Sequence, residues 1–157
     1  MDRKVSFFIR EAGFTFLEVL VLLVVVGVLL GGAIFSLNRS AAHWDLVTGA
    51  RELVSHLRAT RDLAVARGME SVLTIYQNDN CYRFERAPGV WETVYLPARV
   101  RFAWLTFANP PVAGAVYEVR FDPSGSSGNG GTATLQSVTG EIRKIVVFGP
   151  TGRVRIK

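Results

Sequence analysis

The sequence has a single cysteine, Cys81, and two histidines, His43 and His56, in 157 residues. One cysteine excludes an intrachain disulfide, although an oxidising compartment remains permitted. The side chain is read as a small buried hydrophobe rather than a reactive thiol. Two histidines supply no third ligand at metal spacing. No Ser/His/Asp or Cys/His arrangement stands out, and both histidines are read as surface residues. No enzyme activity and no cofactor are expected. The glycine-rich stretch "DPSGSSGNGG", Asp122 to Gly131, lacks the Gly-Lys-Ser/Thr ending of a nucleotide loop. It leads into the strand-like "TATLQS" and not into a helix, so it is read as a hairpin or flexible loop rather than a phosphate cradle.

Charge is missing from a long run. No charged or strongly polar side chain occurs from Val19 to Phe35. With Phe14 to Leu17 the run reaches the ~20 residues of a transmembrane helix. One carboxylate, Glu18, interrupts it near its start, and a lone charge at membrane depth is expensive. Before the run stand Arg3, Lys4 and Arg10. Cytoplasmic flanks favour such residues, which places the N-terminus in the cytoplasm and the bulk of the chain across the membrane. A secretory signal carries its small residues after the apolar core. Here "EAG", Glu11 to Gly13, comes before it. Cleavage after Gly13 would remove the leader and keep the helix.

What is present divides the chain into a leader (residues 1–13), an apolar helix (14–37) and a domain (38–157). From Trp44 to Arg67, Leu46, Ala50, Leu53, Leu57 and Ala64 recur at spacings of three, four and seven, one face of an amphipathic helix. Arg51, Glu52, Ser55, Arg58, Arg61 and Asp62 fall largely opposite. Arg58 and Asp62, four apart, are expected to pair. Gly68 suits the helix C-terminus. No proline lies between Asn38 and His43, so the two helical segments are expected to run nearly continuously.

From residue 71 to 157 the pattern is β. Strands are predicted at Ser71–Gln77, Cys81–Arg86, Val90–Leu96, Val100–Leu105, Tyr117–Phe121, Thr132–Ser137, Arg143–Phe148 and Arg153–Lys157. Asn78-Asp79-Asn80 joins the first two as a hairpin. The reading is an α+β fold: a long N-terminal helix, membrane half plus amphipathic half, packed on antiparallel sheet. No internal repeat is seen.

Cleavage after Gly13 would give Phe14 a free α-amino group one helical turn from Glu18. Pairing with that ammonium, in the same chain or a neighbour, makes the buried carboxylate far cheaper to hold. Basic leader, Gly13, Phe14 and Glu18, in "GFTFLEVLV", resemble the type IV prepilin N-terminus shared by pilins and type II secretion pseudopilins. The resemblance implies cleavage after Gly13 and N-methylation of Phe14 by a prepilin peptidase/methyltransferase, with Glu18 acting in assembly. The order "LRATRDLAVARG", "VLTIY", "FDPSGSSGNGGTATL", "TGRVRIK" is similar to the GspH/FimT family of minor pseudopilins and pilins. That likeness implies two antiparallel sheets on a long helix.

At the C-terminus, Arg153, Arg155 and Lys157 alternate with Val154 and Ile156, so a strand presents the cations on one face. One reading is a solvated edge strand whose charges discourage pairing. The other is a phosphate-binding stripe, extended by Arg143 and Lys144 if their strand is adjacent. Within the resembled family, FimT-type proteins take up DNA through a Gly-Arg-x-Arg element, which Gly152 to Arg155 match. Overall charge does not decide: the chain is +5, pI about 9.9, and is moderately basic only.

Three readings stay open. The first is a minor pseudopilin of a type II secretion system, in the bacterial inner membrane with a periplasmic domain, partnered by other pseudopilins or pilins. In it the glycine-rich loop offers a filament contact. The second is a FimT-like minor pilin that binds DNA. The third is a membrane-anchored β domain that is never processed.

Overall fold

The computed structural model describes residues 15–109, 111–112 and 114–157, with the side chains of 30 and 32–37 left out of the description. The chain divides into two units, Met1–Asn38 and Arg39–Lys157. Both expected helical segments fall within one helix, α1 (Phe16–Arg67). In the first unit every described side chain from Thr15 to Leu29 is exposed. Among the described residues no helix is long and apolar enough to cross a membrane. The backbone of the apolar run is nonetheless helical from Val19 to Phe35.

The second unit holds the core. Leu46, Ala50, Leu53, Leu57 and Ala64 are all at most 1% exposed, so the heptad-like spacing does mark the packed face of the helix. Helix α1 stops where Gly68 adopts φ +64°. Gly68 N donates to Val65 O, and Met69 N to Ala64 O. This pair of reversed bonds satisfies carbonyls that the helix end would otherwise leave bare.

Eight strands follow: β1 (Ser71–Tyr76), β2 (Cys81–Ala87), β3 (Val90–Tyr95), β4 (Val100–Phe107), β5 (Val116–Phe121), β6 (Gly131–Ser137), β7 (Ile142–Phe148) and β8 (Arg153–Ile156). They form two four-stranded antiparallel sheets, ordered β3-β2-β1-β5 and β4-β6-β7-β8. The first sheet sends Leu73, Ile75, Tyr82, Phe84, Val119 and Phe121 into the core. The second sends Val100, Phe102, Leu135, Ile145, Val147 and Val154. The helix stripe therefore covers both sheets. Asn80, the last residue of the β1–β2 connection, takes φ 52°, a conformation asparagine tolerates.

One local expectation is corrected and two are refined. Arg58 does not pair with Asp62; its Nη2 donates to Val154 O at 3.2 Å, a carbonyl that β7 leaves without a partner. Both histidines are partly exposed, as expected of surface residues, and each has a partner. His56 Nδ1 shares a 2.8 Å hydrogen bond with Tyr82 Oη and its ring stacks on Phe84, centroids 4.2 Å apart. His43 Nδ1 meets Glu141 Oε2 at 2.8 Å. Burial, with smaller pushes from Glu52 and Glu92, drives the Tyr82 phenol well above its usual pKa. Cys81 is buried, and that burial raises its thiol pKa.

The glycine-rich stretch does fold back on itself locally, Phe121 and Ser127 forming an isolated antiparallel bridge, but it is not a hairpin between its flanking strands. It carries the chain from β5 in one sheet to β6 in the other. Asp122 organises its first half: its carboxylate accepts from Ser124 N and Oγ and from Ser126 N and Oγ. Those bonds hold its pKa below the ordinary aspartate range. In the second half Asn129 is 1% exposed; its Oδ1 accepts from Arg120 N and its amide donates to Glu118 O. Arg61 of α1 donates from Nε to Gly125 O at 2.8 Å. The loop is thus pinned to helix and sheet.

Candidate functional site

Glu18 lies in the first turn of α1. Thr15 precedes the helix, and Glu18 N donates to Thr15 O at 3.0 Å and to Thr15 Oγ1 at 3.3 Å. Thr15 is therefore the N-cap and Glu18 the third helical residue, the spacing Thr-x-x-Glu of a capping box. This spacing was open to view in the sequence, and the prepilin motif overshadowed it. A helix N-terminus favours a carboxylate by about 0.3–1 kcal/mol where exposed. Around Glu18 the helix is apolar on every side: Phe16 is 83% exposed and Leu17, Val21, Leu22 and Leu23 more than half. A helix apolar all round belongs inside lipid or other protein. Gly13 and Phe14 lie outside the described residues, so their geometry toward Glu18 is not on view.

The second candidate is the C-terminal strand. A short 3-10 helix, Gly149–Thr151, ends at Gly152 with φ 56°. That left-handed residue turns the chain into β8, which pairs with β7. Arg155 lies opposite Val146 and Arg153 opposite Phe148. Lys157 and Lys144 exchange both backbone hydrogen bonds, so they too are opposite. Opposed residues in an antiparallel pair share a face. Lys144 therefore joins Arg153, Arg155 and Lys157 on the outward face of the sheet. Arg143 does not. Its neighbour Lys144 faces outward, so Arg143 points to the helix side, beside His43 and Trp44, and its Nη2 pairs with Glu141 Oε1 at 3.3 Å.

The register carries this face across the remaining strands. Lys144 is opposite Thr134, and Thr134 opposite Trp104. Gln136 is opposite Arg101 and accepts from its Nη2 at 3.0 Å. Trp104, after the bulge at Ala103, is 60% exposed. Sequence reading missed Arg101 and Trp104, because sharing a face depends on strand order, which linear spacing does not reveal. Five cations and two aromatics, Trp104 and Phe148, occupy the face. Among the described residues it has no carboxylate, and Lys144, Arg153, Arg155 and Lys157 are in no ion pair. Also among the described residues, no group of three or more His, Cys, Asp or Glu is placed to hold a metal.

The family described as "Type II transport protein GspH" matches residues 49–152. No curated protein sequence matches the chain. Two solved structures share the fold. One is the minor pseudopilin EpsH from the type 2 secretion system of Vibrio cholerae, 13% identical, TM-score 0.52, covering 72% of this chain and 96% of that one. The other is the type IV minor pilin FimU of Pseudomonas aeruginosa, 15% identical, TM-score 0.54, covering 73% of this chain and 90% of that one. At such identities the likeness speaks for the pilin-like α+β fold and leaves the machinery open.

Proposed function

Because the chain belongs to the GspH family of type II transport proteins, we propose that it is a minor pseudopilin of a type II secretion system. The observation that carries this reading is the first half of α1. From Phe16 to Leu29 its described apolar side chains are exposed all round, and Glu18 is the one ionisable group among them. That surface suits a helix stored in the bacterial inner membrane and then packed among other such helices at the centre of a filament. The role is structural and non-catalytic. A prepilin peptidase/methyltransferase cuts after Gly13 and methylates Phe14, and the domain from residue 39 onward stands in the periplasm. Partners are the major and minor subunits of the same filament, whose growth drives folded proteins outward. Mass spectrometry of the mature chain tests this. N-methylated Phe14 as first residue is the expected result; an intact Met1 would overturn the reading in favour of an unprocessed anchor.

A specific observation supports a second reading, a minor type IV pilin that binds DNA. Lys144, Arg153, Arg155 and Lys157 share an outward face with Arg101 and carry no carboxylate among them. Such a face neutralises phosphates with little regard to sequence, and its binding weakens steeply with salt. In gel shifts with the full chain in detergent, Arg153→Ala with Arg155→Ala should reduce the slope of log K against log salt by about 2. Absence of any shift at low salt would sink this reading and leave the first intact.

A further inference from the structure

Among the described residues, no strand pairs with the free side of β8. This is the last strand of its sheet, and Arg153, Arg155 and Lys157 are the residues that hydrogen-bond to β7, opposite Phe148, Val146 and Lys144. In an antiparallel pair such residues alternate with those whose N–H and C=O turn away. Val154 and Ile156 therefore direct their backbone groups outward from the sheet. Arg58 takes one of them, Val154 O. The N–H groups of Val154 and Ile156 and the carbonyl of Ile156 point away from β7.

A groove runs along this edge between β8 and α1. It consists of three adjoining hollows of about 380, 650 and 320 Å³. The first two share Arg51 and Ile156, and the last two share Arg58, Asp62 and Arg155. On the helix the groove extends from His43 to Asp62. At 1.5 Å per residue that is roughly 28 Å, the length of about eight extended residues. Six arginines line it, Arg51, Arg58, Arg61, Arg143, Arg153 and Arg155, against one carboxylate, Asp62. Between them Val47, Val54, Ala59 and Ile156 supply aliphatic surface.

We propose that this groove receives an extended acidic segment of another protein, which adds a strand to β8. Its backbone meets the outward N–H groups of Val154 and Ile156 and the carbonyl of Ile156, the Val154 carbonyl being held by Arg58. Its carboxylates stand beside Arg153 and Arg155 on the outer face, where opposite charges on neighbouring strands attract. Its alternate side chains, pointing inward, lie on Val47, Val54 and Ile156. Strand addition of this kind draws affinity from the main chain and specificity from alternate side chains. The cations on β8 also disfavour pairing with a basic edge. A second copy of this chain is not the occupant: no two of its acidic residues are closer than four positions apart. A nucleic acid satisfies the arginines but has neither a peptide ladder for the strand edge nor an aliphatic row for the groove.

The test is fluorescence anisotropy on the full chain in detergent micelles. The probe is a labelled eight-residue peptide of alternating glutamate and valine. It should bind at least tenfold more tightly than its lysine–valine counterpart. Methylating the backbone nitrogens on one edge of the peptide should weaken binding at least tenfold, with the protein untouched. Ile156→Pro removes an N–H that β7 does not use and should do the same. Undiminished binding of the methylated peptide, or of the Ile156→Pro chain, would overturn strand addition. Binding of a twelve-residue oligothymidine without binding of the acidic peptide would overturn the choice of occupant.

Discussion

Alanine at Glu18 is expected to abolish incorporation of the chain into the filament. The competing explanation for this carboxylate is local. Thr15 caps the helix, Glu18 sits in the first turn, and the helix dipole favours a negative charge there. That contribution is about 0.3–1 kcal/mol. A charge costs about 2.5 kcal/mol or more at the bilayer centre and less near the start of the run, where Glu18 can reach the interface; packed among neighbouring helices in a filament core it loses that escape. The cap alone therefore falls short, and a partner cation is needed. On the proposed reading cleavage after Gly13 creates it as the Phe14 ammonium. Glu18→Ala removes the charge pair and with it the register between neighbouring helices. The domain from residue 39 onward has its own core and keeps its fold, so circular dichroism of the variant should be unchanged while co-purification with the major subunit is lost. Glu18→Gln should behave like alanine, because it retains length and hydrogen bonding but not charge. Normal incorporation of both variants would leave Glu18 as a helix cap and nothing more.

Much of this architecture is written in short-range patterns. All eight strands fall within two residues of their expected bounds, because the first seven are each followed within three residues by glycine, proline or asparagine and the eighth alternates cleanly. The buried stripe from Leu46 to Ala64 shows in the same way, since 3.6-residue spacing is a local property of the chain. The readings that missed involve partners distant in sequence. Arg58 was assigned the nearest acid and found a strand carbonyl 96 residues away. His56 reads from the sequence only as a surface residue; its partners Tyr82 and Phe84 come close only when β2 packs under the helix. The loop from Asp122 to Gly130 has the composition of a hairpin. Whether its flanking strands pair depends on sheet order, and β5 and β6 lie in different sheets. The basic face shows both limits. Alternation correctly grouped Arg153, Arg155 and Lys157. Only the β7–β8 register could separate Lys144 from Arg143 and bring in Arg101 and Trp104.

Gly152→Ala is expected to be the most damaging single-atom change in the domain, whereas Arg153→Ala next to it should be nearly silent. Gly152 has φ +56°, where an alanine costs about 1–2 kcal/mol. Its added Cβ would also stand 2.0 Å from Gly125 O and 3.1 Å from Arg61 Nε. The first contact is with backbone and cannot be relieved by a rotamer change. The loop must move, and moving it strains the bond from Arg61 Nε to Gly125 O, a hydrogen bond to a charged group worth about 1.5–3 kcal/mol. Together these imply a loss of about 3 kcal/mol or more, a fall in Tm on the order of 10 °C for a domain of this size. Arg153 is exposed and in no ion pair among the described residues, so its truncation should stay within about 0.5 kcal/mol. Thermal melts of the two variants, followed by circular dichroism, check the contrast. A Gly152→Ala melt within 2 °C of the parent, well under the ~10 °C expected, would mean that the Asp122–Gly130 loop yields freely, against the close packing seen around Gly125. The contrast matters for any ligand assay on this strand. In "GRVR" the glycine holds β8 in place and the arginines face outward, so a binding defect in a Gly152 variant reports a displaced strand, and only variants of Arg153 and Arg155 report the charge.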